Sequence, residues 1–584
     1  MDTEDIRVEV VWRNVTVESV SEPFKGALIK RIQGKIEPST MTALLGASGA
    51  GKTTMLNAII GKTNERLKVS GEILLNGYPV DASVWKCAVG FVGEHLHAYE
   101  TQTVEETLRF AVAISRDTGP ETVVNEEVSC LIKALGLSRI AHTQISSIST
   151  GERTRLSLGI TLAKRPSILI MDEVTNELDS FNVVHILKIL MALRQQGKGI
   201  MISFQRLPQE MLSFFDKIMI ICQGGVVFNG CPEECVEFFR SCGHDLKKYV
   251  GSSDFFMDVL SVDTTTPESE KMSLGRIARL KMCWKRIEPL AVSSIIEKTE
   301  FPTVSRRYIL SFTLIFKRNL SDFLRRHELM RILSIQKLTT LALLVLVYFR
   351  LDYTQKGIRD RFGILSFIVM GSFEKTAAAA IIFLDSYRKA LKREVCAGMY
   401  GAAMSYFASL VSSFCILGTS WIAYIAAAYW IVGLNPNILR FVFFVLILVI
   451  VTVFSMSFGI VVALHTKTLV QAQVLTSVLI MSFIILGGAF VDPGTIPGFA
   501  RWAIWISPVY YALEIALQSQ FEGLVFECKG SERCISNGNE ALHLYGFRRV
   551  GYGVSVGMLL LITTVSIALG AISTNRVFKP RNSI

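Results

Sequence analysis

The sequence predicts two unlike halves: an N-terminal α/β domain of the P-loop type, then an all-α transmembrane domain of six helices. Three observations carry this. A glycine-rich motif between a strand-like run and a helical run begins at Gly46, apolar runs alternate with amphipathic stretches to about Val262, and long apolar segments dominate beyond residue 330. Half of the 584 residues are hydrophobic and the mean hydropathy is +0.41. Charged residues make up 19%, against roughly 25% in an average soluble domain. Between Phe441 and Val491 the only charged residue is Lys467. The net charge of +11 is spread around hydrophobic flanks rather than gathered into a basic stripe, which argues against a nucleic-acid partner and for a lipid bilayer. The opening MDTEDIRVEV has neither a basic n-region nor an apolar core, so the first half is expected in the cytosol.

Residues 1–262 read as the soluble domain, with strand-like runs at Met41–Leu45, Ile168–Met171 and Ile218–Ile221. Residues 263–305 are polar and interrupted by Pro267, Pro289 and Pro302, the pattern of a linker. Residues 306–329 place Arg306, Arg307, Lys317, Arg318, Arg325 and Arg326 among Ile, Leu and Phe, as expected of an amphipathic connecting helix at a bilayer surface. A spanning helix needs about 20 apolar residues. Within 330–584, six stretches qualify: about 330–349, 362–384, 412–434, 441–464, 472–491 and 552–574. An even number puts both ends on one side, leaving about 492–551 as a long loop on the outer face. Arg388, Lys389, Lys392 and Arg393 mark one loop as cytoplasmic, as Arg576, Lys579 and Arg581 mark the tail; Lys356, Arg359 and Arg361 run against the rule.

Gly46-Ala-Ser48-Gly49-Ala-Gly51-Lys52-Thr53 matches the phosphate-loop pattern, directly after an apolar run and before the helical stretch from Thr54. Its glycines let backbone N–H groups converge on phosphates, Lys52 brings a cation to the β/γ positions, and the Thr53 hydroxyl is placed for Mg²⁺. Further on, the apolar run Ile168–Met171 ends in Asp172 and Glu173, a carboxylate for Mg²⁺ and a general base for the attacking water. ATP and Mg²⁺ are the cofactors this combination calls for.

Between these lie Ser149-Thr150-Gly151-Glu152, and after them Leu178-Asp179-Ser180. The ordered set resembles the ABC transporter ATPase, with a degenerate LSGGQ-type signature and a D-loop. The order of the halves is similar to that of the G subfamily, the White-type half-transporters. Asp254-Phe-Phe-Met-Asp258, Arg393-Glu394 through Gly398 and Tyr400, and Ile496-Pro497 through Trp505 to Tyr511 support the resemblance. It implies ATP-driven export of a hydrophobic or amphipathic substrate of the lipid, sterol or xenobiotic class. It also implies a dimer, homo- or heteromeric, in which the phosphate loop of one subunit faces Ser149, Gly151 and Glu152 of a second half-transporter subunit, with Asp179 nearby.

The sequence departs from that family at three places. Glu94 stands where the family has a Gln near Mg²⁺ and the lytic water, Gln205 stands where it has a switch His, and Thr150 replaces the first signature glycine. A carboxylate beside a polyanion and an amide that cannot become a cation predict binding with slow hydrolysis. The alternative that follows is a regulatory subunit that binds ATP with little turnover and serves a partner chain.

Cys231, Cys235, Cys242 and His244 are close in sequence, but their spacing does not match a zinc knuckle and reads as structural thiols. Cys528 and Cys534 share the outer loop and are expected to form a disulfide. Glu374 and Lys375 interrupt the second hydrophobic segment. They either line a substrate pathway or snorkel towards an interface.

Overall fold

A computed structural model of the chain describes residues 7–20, 26–62, 67–116, 121–176, 178–245, 251–288, 292–293, 308–491, 496–499, 501–527, 535–547 and 551–578. It divides into two units, residues 1–307 with 396–399 and 580–584, and residues 308–395 with 400–579.

In the first unit β1 (Val10–Ser19), β2 (Gly26–Ile36), β3 (Met41–Leu45), α1 (Lys52–Ile59), β4 (Leu67–Leu75), α2 (Ala82–Ala88), β5 (Val89–Val92), α3 (Val104–Ser115) and α4 (Glu121–Ala134) come first. They are followed by α5 (Thr150–Leu162), β6 (Ile168–Met171), α6 (Ser180–Gln195), β7 (Gly199–Phe204), β8 (Lys217–Cys222), β9 (Gly225–Gly230), α7 (Pro232–Ser241), α8 (Ser252–Leu260) and α9 (Pro267–Ile287). Strands β2, β1 and β4 pair in that order as an antiparallel sheet. The second sheet has the order β5-β6-β7-β3-β8-β9, parallel except for its last pair. Every residue of β3, β6 and β7 is buried, as expected of parallel strands covered on both faces. The register sets Val92 beside Met171, Met171 beside Ile202 and Leu45 beside Phe204, so four neighbouring strands end on one edge. In open α/β sheets, that carboxyl edge is where ligands bind.

The stretch read as a linker contains an ordered helix. Thr266 caps α9 through the N–H of Ser269, and Pro267 occupies the first turn. Proline there starts a helix instead of breaking one, because its missing N–H would have had no helical partner. Trp284 then packs on Phe228 of β9 and Phe238 of α7, tying α9 to the sheet.

The second unit contains α10 (Tyr308–Leu324), α11 (His327–Val347), α12 (Gln355–Asp385), α13 (Arg388–Cys396) and α14 (Ala402–Ser413). After a π-helical turn at Phe414–Gly418 come α15 (Thr419–Val432), α16 (Ile438–His465), α17 (Leu469–Leu486), α18 (Pro508–Phe521), α19 (Gly538–Leu544) and α20 (Tyr552–Phe578). Among the described residues six helices are long and apolar enough to cross a membrane: α11, α12, the run Ala402–Val432, α16, α17 and α20. They are the six segments read from sequence, with somewhat different ends.

Two expectations change here. All fourteen residues of α18 are buried, so the loop between the fifth and sixth spans holds a core helix. At 14 residues it is too short to cross a bilayer, which is why hydropathy assigned it to a loop. The connecting helix does not present all its basic residues to a surface. Arg318 is buried against Glu394, and Arg326 turns to buried Asp322. Arg306 and Arg307 lie outside the described residues, as do Cys528 and Cys534.

Candidate nucleotide site

The phosphate loop leaves β3 at Gly46, where a Cβ would stand 2.5 Å from the carbonyl oxygen of Ile221, so no side chain fits. Gly51 has φ +105°, a conformation that favours glycine, and from it the chain enters α1. Ser48 and Thr53 are exposed and Thr54 is partly buried, while Lys52 is almost fully buried. The Lys52 Nζ donates to the carbonyls of Gly46 at 2.7 Å and Ala47 at 3.2 Å, and lies 3.0 Å from Glu173 Oε1. The loop lysine is therefore ion-paired with the residue read as the general base.

Glu173 stands just beyond β6 with φ +48°, an unusual backbone for a non-glycine residue. Its Oε2 accepts from Gln205 Nε2 at 2.6 Å and from Asn176 Nδ2 at 2.7 Å. Burial works to raise the pKa of Glu173, but the bonds from Lys52, Gln205 and Asn176 outweigh it and hold the carboxyl below its usual range. Asp172 behaves oppositely. Burial raises its pKa, and hydroxyl bonds from Ser203 and Thr53 only partly offset that. A desolvated carboxylate beside the Thr53 hydroxyl is a hard-oxygen pair suited to Mg²⁺, which takes one or two carboxylates and completes its shell with water and phosphate. Among the described residues no group of three His, Cys, Asp or Glu could hold a metal unaided.

Sequence reading missed Ser203. Its Oγ accepts from the backbone N–H of Glu173 at 2.8 Å and donates to Asp172 Oδ1 at 2.7 Å, so one hydroxyl orients both acidic residues. The available signal was a lone serine in the otherwise apolar β7 run Gly199–Phe204. Asn176 was also missed. Glu94 lies two residues beyond β5 on the same sheet edge, with its side chain exposed.

Ser149, Gly151, Glu152 and Asp179 form a separate cluster. Ser149 caps α5 in a reciprocal box with Glu152, whose carboxylate accepts from the Ser149 N–H at 2.9 Å. Asp179 caps α6, accepting from the Asn182 N–H at 3.1 Å and its side-chain amide at 2.6 Å. Asn182 also accepts from Arg155 and lies against Gly151, where an added Cβ would be 3.1 Å away. Thr150, Ser149 and Asp179 are solvent-exposed, so this edge is open on the single chain.

In the second unit, Lys375 and Glu374 part company. Lys375 donates to Thr340 at 2.7 Å and lies over the Trp421 ring, whereas Glu374 is exposed.

Family models agree with this division. One described as "ABC transporter" matches residues 29–176, and one described as "ABC-2 type transporter" matches residues 311–521. Protein white of Drosophila melanogaster is 27% identical over 565 residues, spanning 92% of this chain and 81% of its own length. The Arabidopsis thaliana protein "ABC transporter G family member 8" is 25% identical, covering 91% and 89%. The Rattus norvegicus protein "ATP-binding cassette sub-family G member 5" is 24% identical, covering 90% and 83%. A nucleotide-site edge in one unit, six spanning helices in the other and these matches along nearly the whole chain make it a multi-pass, ATP-driven membrane transporter of the ABC family, of the White-type G subfamily of half-transporters.

Proposed function

We propose that the chain exports a hydrophobic or amphipathic compound as one half of a dimer, hydrolysing ATP with Glu173 as general base. The observation that carries this reading is the convergence of Lys52, Asp172, Glu173, Ser203 and Gln205 on one sheet edge. Mg²⁺, when bound, supplies positive charge at the β- and γ-phosphate oxygens. Lys52 exchanges its ion pair with Glu173 for a phosphate oxygen, and the released carboxylate is then free to take a proton from water. Ser203 keeps Asp172 aimed at the metal position throughout. Gly46, Ser48, Gly49, Gly51, Thr53 and Thr54 contribute the rest of the phosphate cradle, and Ser149, Gly151, Glu152 and Asp179 complete it from the other subunit.

Domain closure is transmitted through residues 393–406 and α10. In support, Arg318 of α10 makes a two-point ion pair with Glu394 of α13, at 2.8 and 2.7 Å, and Tyr400 also bonds Glu394. Cys528 and Cys534 form a disulfide in this reading, and alkylation mass spectrometry under non-reducing conditions tests it.

A second reading is a regulatory subunit that binds ATP with little turnover. It is favoured by the Lys52, Gln205 and Asn176 contacts that hold Glu173, together with Glu94 and Thr150. Purified chain in nanodiscs, alone and with a co-purified second half-transporter, separates the two. Steady-state ATP hydrolysis by the chain alone supports the exporter; hydrolysis only in the mixed complex, insensitive to Glu173→Gln in this chain, supports the regulatory subunit.

A further inference from the structure

α11 runs from His327 to Val347, and Lys337 stands at its midpoint. Lys375 lies ten residues before the Asp385 end of α12. At about 1.5 Å per residue, both amines sit roughly 15 Å of helix from an end, near mid-depth of a hydrocarbon layer about 30 Å thick. Both line one narrow, open cleft of about 20 Å³, room for about one water molecule, with Gln336, Thr376 and Trp421.

The partners of the two amines are neutral. Lys375 donates to Thr340, whose own hydroxyl proton goes back to the Gln336 carbonyl, and Lys337 donates to Ser420, whose proton goes to the Leu417 carbonyl. The Trp421 ring lies 5.3 Å from the Lys375 amine and is fixed by its N–H bond to Ser372. Among the described residues neither lysine has a carboxylate ion-pair partner, and Glu374 is exposed. Each ammonium has three donors, so each retains capacity after its hydroxyl bond. Two cations in an apolar layer whose direct contacts are hydroxyls and an aromatic ring, with the exposed Glu374 acting on Lys375 only through space, are costly unless something else brings negative charge. Beside the cleft α11 exposes Ile332, Ile335 and Leu338, an apolar surface along which a tail can lie.

We propose that the cleft between α11, α12 and α15 binds the anionic head of an amphiphile, a carboxylate, sulfate or phosphate, with Lys337 and Lys375 as its counter-charges. This deepens the export reading, on which its role as a substrate site rests, by naming an acidic amphiphile as the cargo class. The enclosed space is only about 20 Å³, so the head sits at the open mouth of the cleft against the two amines and the tail stays outside it.

The test uses the full chain in phosphatidylcholine nanodiscs without ATP, with tritiated oleate as probe and tritiated oleyl alcohol as the uncharged control. Saturable oleate binding, at least about tenfold weaker in Lys337→Met and Lys375→Met and largely kept in Lys337→Arg and Lys375→Arg, is expected from the loss of a charge-assisted contact. Competition by phosphatidylserine placed in the disc identifies a bilayer lipid as the source of the anion, and competition by taurocholate added to the water identifies a free amphiphile. Equal binding of oleyl alcohol and oleate by the wild type, or unchanged oleate affinity in both Met variants, overturns the proposal. The wild-type comparison holds even if a Met variant misfolds. Binding needs no turnover, so ATP-driven oleate uptake into inside-out vesicles is measured separately. Binding without uptake refutes export of this cargo and leaves the site standing.

Discussion

Glu173 has a double engagement, since the carboxylate that would activate water also neutralises the loop lysine. Glu173→Gln should therefore abolish hydrolysis and at the same time tighten ATP binding, because Lys52 loses its competing anion. A hydrogen bond to a charged group is worth about 1.5–3 kcal/mol, so the gain in affinity is expected to be roughly tenfold or more. Isothermal titration with ATP and steady-state turnover measure the two halves of this prediction; weaker binding in the variant would show that Lys52 is not held by Glu173. Glu94→Gln with Gln205→His should raise turnover by about tenfold to a hundredfold, as a charge near the triphosphate is removed and a possible cation supplied. Unchanged turnover in that double variant would mean that Glu94 and Gln205 do not limit the reaction. These residue-level departures were visible in the sequence, but the grip of Gln205 and Asn176 on Glu173 was not. That grip depends on the turn after β6 meeting the end of β7, which joins side chains of two segments.

Helix contacts are where one-dimensional reading lost most. Arg318, Glu394 and Tyr400 each looked like a surface or loop residue, yet they form one buried group between α10 and α13. Burial works to raise the pKa of Glu394, and Arg318 beside it more than offsets this and keeps it ionised. Glu394→Gln leaves the Arg318 charge buried without its counter-charge, and breaking a buried pair costs about 3–5 kcal/mol. Thermal unfolding in nanodiscs should show a clear fall in midpoint; a midpoint equal to wild type would mean that water or another anion satisfies Arg318. Lys164 offers a pH test in the other unit. Burial lowers its pKa from 10.5 to about 8, so folding disfavours the charged amine. Between pH 8 and 10.5 the unfolded chain binds the extra proton, so raising the pH relieves the penalty and stability rises. The difference in unfolding midpoint between wild type and Lys164→Met should shift in favour of the wild type from pH 7 to pH 9.5, and a constant difference would show that Lys164 is charged throughout.

For the molecule as a whole, the single chain leaves Ser149, Thr150 and Asp179 exposed in a cluster separate from the phosphate loop. If a second subunit supplies that cluster, Gly151→Asp should lower turnover by about a hundredfold or more through lost transition-state contacts. ATP binding to the isolated chain should stay unchanged, because Lys52 and its partners lie elsewhere. Weakened binding in the isolated chain would instead mean that the cluster serves its own phosphate loop.

The sequence by itself determined the two-part architecture, the six spans and the acidic pair after β6. Those follow from local order: a glycine pattern, runs of about 20 apolar residues and an apolar strand ending in Asp172 and Glu173 are each written in consecutive positions. Tertiary structure alone decided the rest. α18 is a core helix because neighbouring helices cover its whole surface, and α9 is ordered because Trp284 finds Phe228 and Phe238. Ser203 matters because parallel pairing brings β7 beside β6, and Lys375 of α12 finds its partner in the Thr340 hydroxyl of α11. Such pairings join residues far apart in the chain, and local propensity holds no record of which distant partner will supply the missing hydrogen bond or charge.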